Sequence, residues 1–132
     1  MAEGATILTQ TANKPYYEKL ASLPHTIRPD SLAKSPKKAI VEAIDDKRVL
    51  TGGGHTMEIY RVQGSNHADT MMIAYFPKEK ILVDADIYTP AAANTTPPPP
   101  TKEMQNLDAN LKRLKLDVQQ ITPIHEIGRA HV

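Results

Sequence analysis

Apolar and polar positions alternate along the chain in blocks that read as a mixture of strands and helices. Ala5–Thr9 is short, apolar and partly β-branched, the pattern of a strand. Thr11–Ala12–Asn13 followed by Pro15 predicts a helix start, with Asn13 as its cap and Pro15 in the first turn. That helix runs to about Ser22 and stops before Pro24. From Pro24 to Pro36 three prolines leave room for one short helical turn around Ser31–Lys34. Ala39–Ile44, Arg48–Thr51 and His55–Gln63 read as strands, separated by an Asp45–Asp46 turn and the tight turn Gly52–Gly54.

The next blocks are the most readable. Met71–Phe76 is a continuous apolar run, Pro77–Lys80 a polar turn, and Ile81–Val83 apolar and β-branched again. Two such runs joined by four turn residues predict a β-hairpin. Apolar residues at successive positions predict cover on both faces of the sheet, and so an α/β layered fold. Pro90–Pro100 ends in four prolines and reads as an extended loop. Met104, Leu107, Leu111 and Leu114 then form one helical stripe, with Thr101 as cap and Glu103 in the first turn. Leu116, Val118 and Ile121 lead into a last short strand ending at Pro123–Ile124–His125.

Composition narrows the chemistry more than the fold. With 132 residues, the chain is expected to be one domain over 1–125. A net charge of +1 gives no footprint for nucleic acid, and Lys37–Lys38 reads as a solvated loop. No apolar run approaches a membrane span, and the first residues lack the pattern of a signal peptide. There are no cysteines, which fits cytosol and periplasm alike and leaves only His and carboxylate as metal donors.

Three such donors sit where a strand gives way to a loop. They are His67 in Gly64–Ser65–Asn66–His67, Asp86 just past Ile81–Val83, and His125 after the terminal strand. Side chains at neighbouring strand ends can converge at the rim of a sheet, and imidazole with carboxylate suits zinc or iron. By residue type alone, a loop His is commonly a surface residue and an Asp after a strand commonly a turn residue, so both readings stay open.

The order of these pieces resembles the C-terminal half of a metallo-β-lactamase-fold hydrolase. The family shows a strand, a Gly-x-x-His loop, and a hairpin often written Pro-x-x-Lys. A small residue followed by Asp comes next, then a helix, then a strand ending in Pro-x-His. The likeness covers roughly Met57 to His125, and is to bacterial members of unassigned substrate with a Pro-rich loop after the Asp. It implies half of an αββα sandwich, a mixed β-sheet with flanking helices. It also implies a metal role for His67, Asp86 and His125, with Asp86 bridging two ions; zinc is the expected metal, one or two ions in the parent family. Asp84 is the alternative to Asp86, and Asp69 is expected to orient an imidazole.

The sequence also departs from the family. The leading His-x-His-x-Asp-His motif is absent, and His25, His55 and His131 are isolated. The resemblance therefore implies a fragment, inactive by itself, with or without bound metal, whose partner is a missing N-terminal half. The other reading is a non-catalytic α/β module that self-associates as a homodimer. The tail Glu126–Val132 replaces the family's Gly. Back-translated from the second base of its first codon, it reads like a sequencing-library adapter, so a non-native tail on an environmental DNA fragment is expected. An independent read of the source DNA should diverge after the His125 codon; the same codons in intact genomic DNA would sink the idea.

Overall fold

In the computed structural model the described residues are 1–35, 37–91, 94–125 and 130–131. The chain divides into two compact units, Met1–Asp45 and Asp46–Val132, and each is considered by itself.

The first unit is a strand–helix–strand arrangement. Strand β1 (Thr6–Gln10) pairs in parallel with β2 (Ile40–Ile44), in the register Thr6 to Ile40 and Gln10 to Ile44. Between them lies helix α1 (Lys14–Ser22). The expected helix start is corrected in one detail. A 3-10 turn over Thr11–Asn13 precedes α1, and Asn13 makes no capping hydrogen bond with its side chain. Gln10 does that work, its Oε1 accepting from Ala12 N at 2.6 Å, and Thr11 Oγ1 donates to Asp45 Oδ1. Asn13 already has helical backbone angles, and a cap needs an extended residue whose side chain can reach forward. The short turn at Ser31–Lys34 forms, capped by Asp30 Oδ1 accepting from Ala33 N at 2.8 Å. Lys37 donates through Nζ to the carbonyl of Glu3 at 2.9 Å.

The second unit is a six-stranded mixed sheet in the order β3 (Lys47–Gly52), β4 (His55–Arg61), β5 (Met72–Phe76), β6 (Ile81–Asp84), β7 (Gln120–Pro123) and β8 (Ala130–His131). All neighbours are antiparallel except β6 and β7. Their parallel pairing needs a crossover, and helix α2 (Lys102–Leu114) supplies it. Most of the tail at Glu126–Val132 lies outside the described residues, save the pairing of Ala130 with Ile121 and of His131 with Gln120.

Register builds the core. Tyr60 lies opposite Ile73, and Tyr75, Leu82 and Ile121 fall in one row across three strands. These residues share one face and are buried with Val62, Ile87 and Leu107. The stripe predicted for α2 packs there, Leu107 buried and Leu111 and Leu114 against the cluster. Thr101 caps α2, its Oγ1 accepting from Met104 N at 3.2 Å, and Lys115 ends the helix in the left-handed conformation. On the opposite face Ile59, Ala74 and Val83 are buried or half-buried, in line with apolar runs covered on both sides. Among the described residues no helix is long and apolar enough to cross a membrane.

Leu82, with none of its surface exposed, should be among the costliest side chains to truncate. Leu82→Ala is expected to lower the unfolding free energy by about 2–5 kcal/mol. Val49→Ala, on the exposed edge strand β3, should cost less than about 1 kcal/mol. Urea denaturation of both variants checks the ranking, and equal losses would contradict this core assignment.

Candidate metal centre

The three candidate donors arrive from three strand ends of the second unit. The loop after β4 carries His67. Val62 N donates to Met71 O at 2.9 Å across its base, and Ser65 Oγ accepts from His67 N at 3.2 Å and Ala68 N at 3.3 Å. Gly64 begins the loop at a φ of +64°, a conformation that favours a residue without Cβ.

Asp86 follows β6, and the geometry separates it from Asp84. Asp84 shares the core face with Leu82 two residues earlier and is buried. Its Oδ2 accepts from Tyr88 N at 2.9 Å and Ile87 N at 3.3 Å, tying down the loop in which Asp86 stands outward at a φ of +66°. Asp84 Oδ1 has no hydrogen-bond partner among the described residues. Burial pushes the Asp84 carboxyl above its ordinary range, against the two backbone N–H bonds that pull it down. His125 lies just past β7, where Ile124 N donates to Asp84 O at 2.9 Å and holds the two strand ends together.

These supports bring all three candidates into contact through one carboxylate. His125 Nδ1 lies 2.5 Å from Asp86 Oδ1, and His67 Nε2 lies 3.6 Å from Asp86 Oδ2. Each oxygen of Asp86 thus faces a different imidazole. In kind, two imidazoles and a carboxylate suit zinc or iron. In arrangement they fall short: the donors face one another, and no three His, Asp or Glu side chains among the described residues are placed to hold one ion.

Asp69 stands on an exposed turn; its main-chain carbonyl lies 3.5 Å from an Arg61 guanidinium nitrogen, and among the described residues no hydrogen bond joins it to an imidazole. His25 lies 4.0 Å from Asp30, and His55 Nδ1 lies 3.0 Å from Glu79. The side chain of His131 lies outside the described residues.

Sequence reading missed the wall beside this cluster. Asn66, His67, Asp86, Thr89, Thr101 and Glu103 line a cleft of ≈ 290 Å³. Glu103 reads in sequence only as a first-turn charge. Its carboxyl is held below the ordinary range by its own backbone N–H and the Thr101 hydroxyl, with smaller help from Lys102 and His67. The larger cleft of ≈ 510 Å³, in the first unit, contains no histidine.

No family profile matches the sequence, and no curated protein does. Solved structures do. An archaeal metallo-β-lactamase superfamily protein from Sulfolobus tokodaii superposes with a TM-score of 0.56 at 16% identity, over 96% of this chain and 54% of its own. A metallo-β-lactamase from Pontibacter korlensis gives 0.59 at 16% identity, over 98% and 54%. The chain has the metallo-β-lactamase fold. It spans about half the length of these two structures. A flavo di-iron protein from Thermotoga maritima shares the fold, with a TM-score of 0.53 at 12% identity over 96% of this chain and 32% of its own. At such identities the likeness establishes the metallo-β-lactamase fold and not an activity.

Asp84 yields a prediction on stability. Its folded carboxyl titrates above the unfolded reference of 3.8. The folded state therefore holds this proton longer than the unfolded state, and stability falls as pH rises through that window. Asp84→Asn keeps an acceptor for Ile87 and Tyr88 and removes the charge. In chelator, the variant's stability relative to wild type should rise from about pH 4 to about pH 7. Urea titrations at several pH values measure it, and a pH-independent difference would show that Asp84 is not desolvated.

Proposed function

We propose that this chain is part of a metal-dependent hydrolase of the metallo-β-lactamase fold, and that His67, Asp86 and His125 are metal donors in it. One observation supports this above the others: donors from three separate strand ends meet at a single carboxylate, at 2.5 Å and 3.6 Å. In the working enzyme the metal would polarise the scissile bond and activate water. The residues here supply donors without a complete cage, since the His-x-His-x-Asp-His motif is absent from the sequence. The isolated chain is therefore proposed to be a fragment, inactive alone. Zinc is the metal proposed; the di-iron relative makes ferrous iron the natural comparison.

A second reading has its own support. Helix α1 buries no residue, and Leu20, Leu23, Ile27 and Ile40 of the first unit are exposed. Apolar surface of this kind favours self-association or a missing half of the fold. A metal-free dimer in sedimentation would support that reading over the first.

Zinc content and the thermal midpoint, with and without zinc, test the metal reading. A ligand that binds only the folded state stabilises it, by roughly 2.7 kcal/mol at 100 times its dissociation constant. The midpoint of the wild type should rise with zinc, and His67→Ala should lose most of that rise. No bound zinc and no shift would rule out a metal site in this chain by itself, and an equal shift in the variant would remove His67 from the donors.

A further inference from the structure

We propose that Asn106 and Asn110 are positioning residues that set His67 against Asp86. The proposal rests on the reading of His67 as a metal donor, and the geometry behind it is independent of that reading. Asn110, on α2, is 3% exposed. Its Oδ1 accepts from Gln63 N at 2.9 Å, and its Nδ2 donates to Gln63 O at 3.0 Å. One side-chain amide thus engages both backbone groups of a single residue, as a neighbouring strand would. Asn106, one helical turn earlier, donates through Nδ2 to Gln63 O and Gly64 O, each at 2.9 Å. Arg113 reaches the same point, donating to Asn110 Oδ1 at 2.8 Å and Arg61 O at 3.3 Å.

The clamp grips the chain three residues before His67. A Cβ added at Gly64 would stand 3.4 Å from Asn106 Nδ2, so the loop backbone lies directly on the helix. From there the Ser65 hydroxyl carries the constraint forward, accepting from His67 N and Ala68 N. The same helix contributes Glu103 and Met104 to the cleft that His67 lines. Asparagine is a poor helix former, and two at adjacent turns weaken α2 by propensity alone. Their amides return that cost by fixing a loop that otherwise has few side-chain anchors. Groups bonded directly to a metal donor commonly change metal affinity about 10–100-fold, and a clamp acting through the loop backbone is expected at the lower end of that range.

Asn106→Ala is the informative variant, because Asn106 is only half-buried and alanine favours the helix. Amide hydrogen exchange of the metal-free chain in chelator should quicken roughly tenfold at His67 and Ala68, and stay within about twofold at Ile73 in the core. Zinc affinity should fall about tenfold. Asn110→Ala removes a buried amide and risks unfolding. Asn110→Asp keeps the acceptor for Gln63 N and should give a smaller change in the same direction. Unchanged exchange at His67 and Ala68, or an equal rise at Ile73, would overturn the proposal. So would equal zinc affinity of Asn106→Ala and a wild type that binds zinc. If the wild type binds no zinc, His67 is not a donor in this chain by itself, and the exchange arm still decides whether the clamp positions the loop.

Discussion

The parallel pairing of β6 with β7 is the constraint on which the site depends. In an otherwise antiparallel sheet, consecutive strands end at opposite edges. Only a parallel pair brings the exits of two neighbouring strands to the same end, and here those exits carry Asp86 and His125. The hydrogen bond from Ile124 N to Asp84 O fixes their relative height. The loop from β4 to β5 opens near them and brings His67. Parallel strands need a crossover, so the constraint also explains why α2 must exist. Once there, α2 covers the core with Leu107 and bonds to the His67 loop through Asn106 and Asn110.

Alternation along β6 divides labour between two carboxylates. Leu82 and Asp84 point into the core, and strict alternation would send Asp86 inward as well. The strand ends first, and the left-handed conformation at Asp86 turns its side chain outward. Asp84 pays for this in desolvation, yet its oxygen holds the turn that makes the exposed carboxylate possible. The same two-residue spacing thus yields a buried brace and an exposed carboxylate.

Much of this was legible in the sequence because its signals are local. The hairpin Met72–Asp84 shows in two apolar runs and a polar turn. The α2 stripe, its Thr101 cap and the short turn at Ser31–Lys34 show in spacing alone. The resemblance to the metallo-β-lactamase fold came from the order of such pieces, and the solved structures bear it out. What stayed hidden has partners far along the chain. Asn106 and Asn110 look like the polar face of a helix, because their partners are main-chain atoms 42 to 47 residues away. Glu103 looks like a dipole charge until the fold sets it beside His67. Asn13 carried the right residue type for a cap, but the backbone had already turned helical two residues earlier, at Thr11.

Asp86 meets His67 and His125 at the protein surface, and that bears on metal binding. All three side chains are at least a third exposed, so each pair contributes little to stability. A bond of that strength is a weak competitor for a metal ion, which would draw the same atoms with far larger energy. On the proposed reading these three side chains would be free to turn toward an ion at small cost. The limit lies in their number and direction. Two imidazoles and one shared carboxylate can begin a dinuclear site of this fold, but with each oxygen of Asp86 facing a different ring they cannot close it. Completing a coordination shell here would take donors beyond these three.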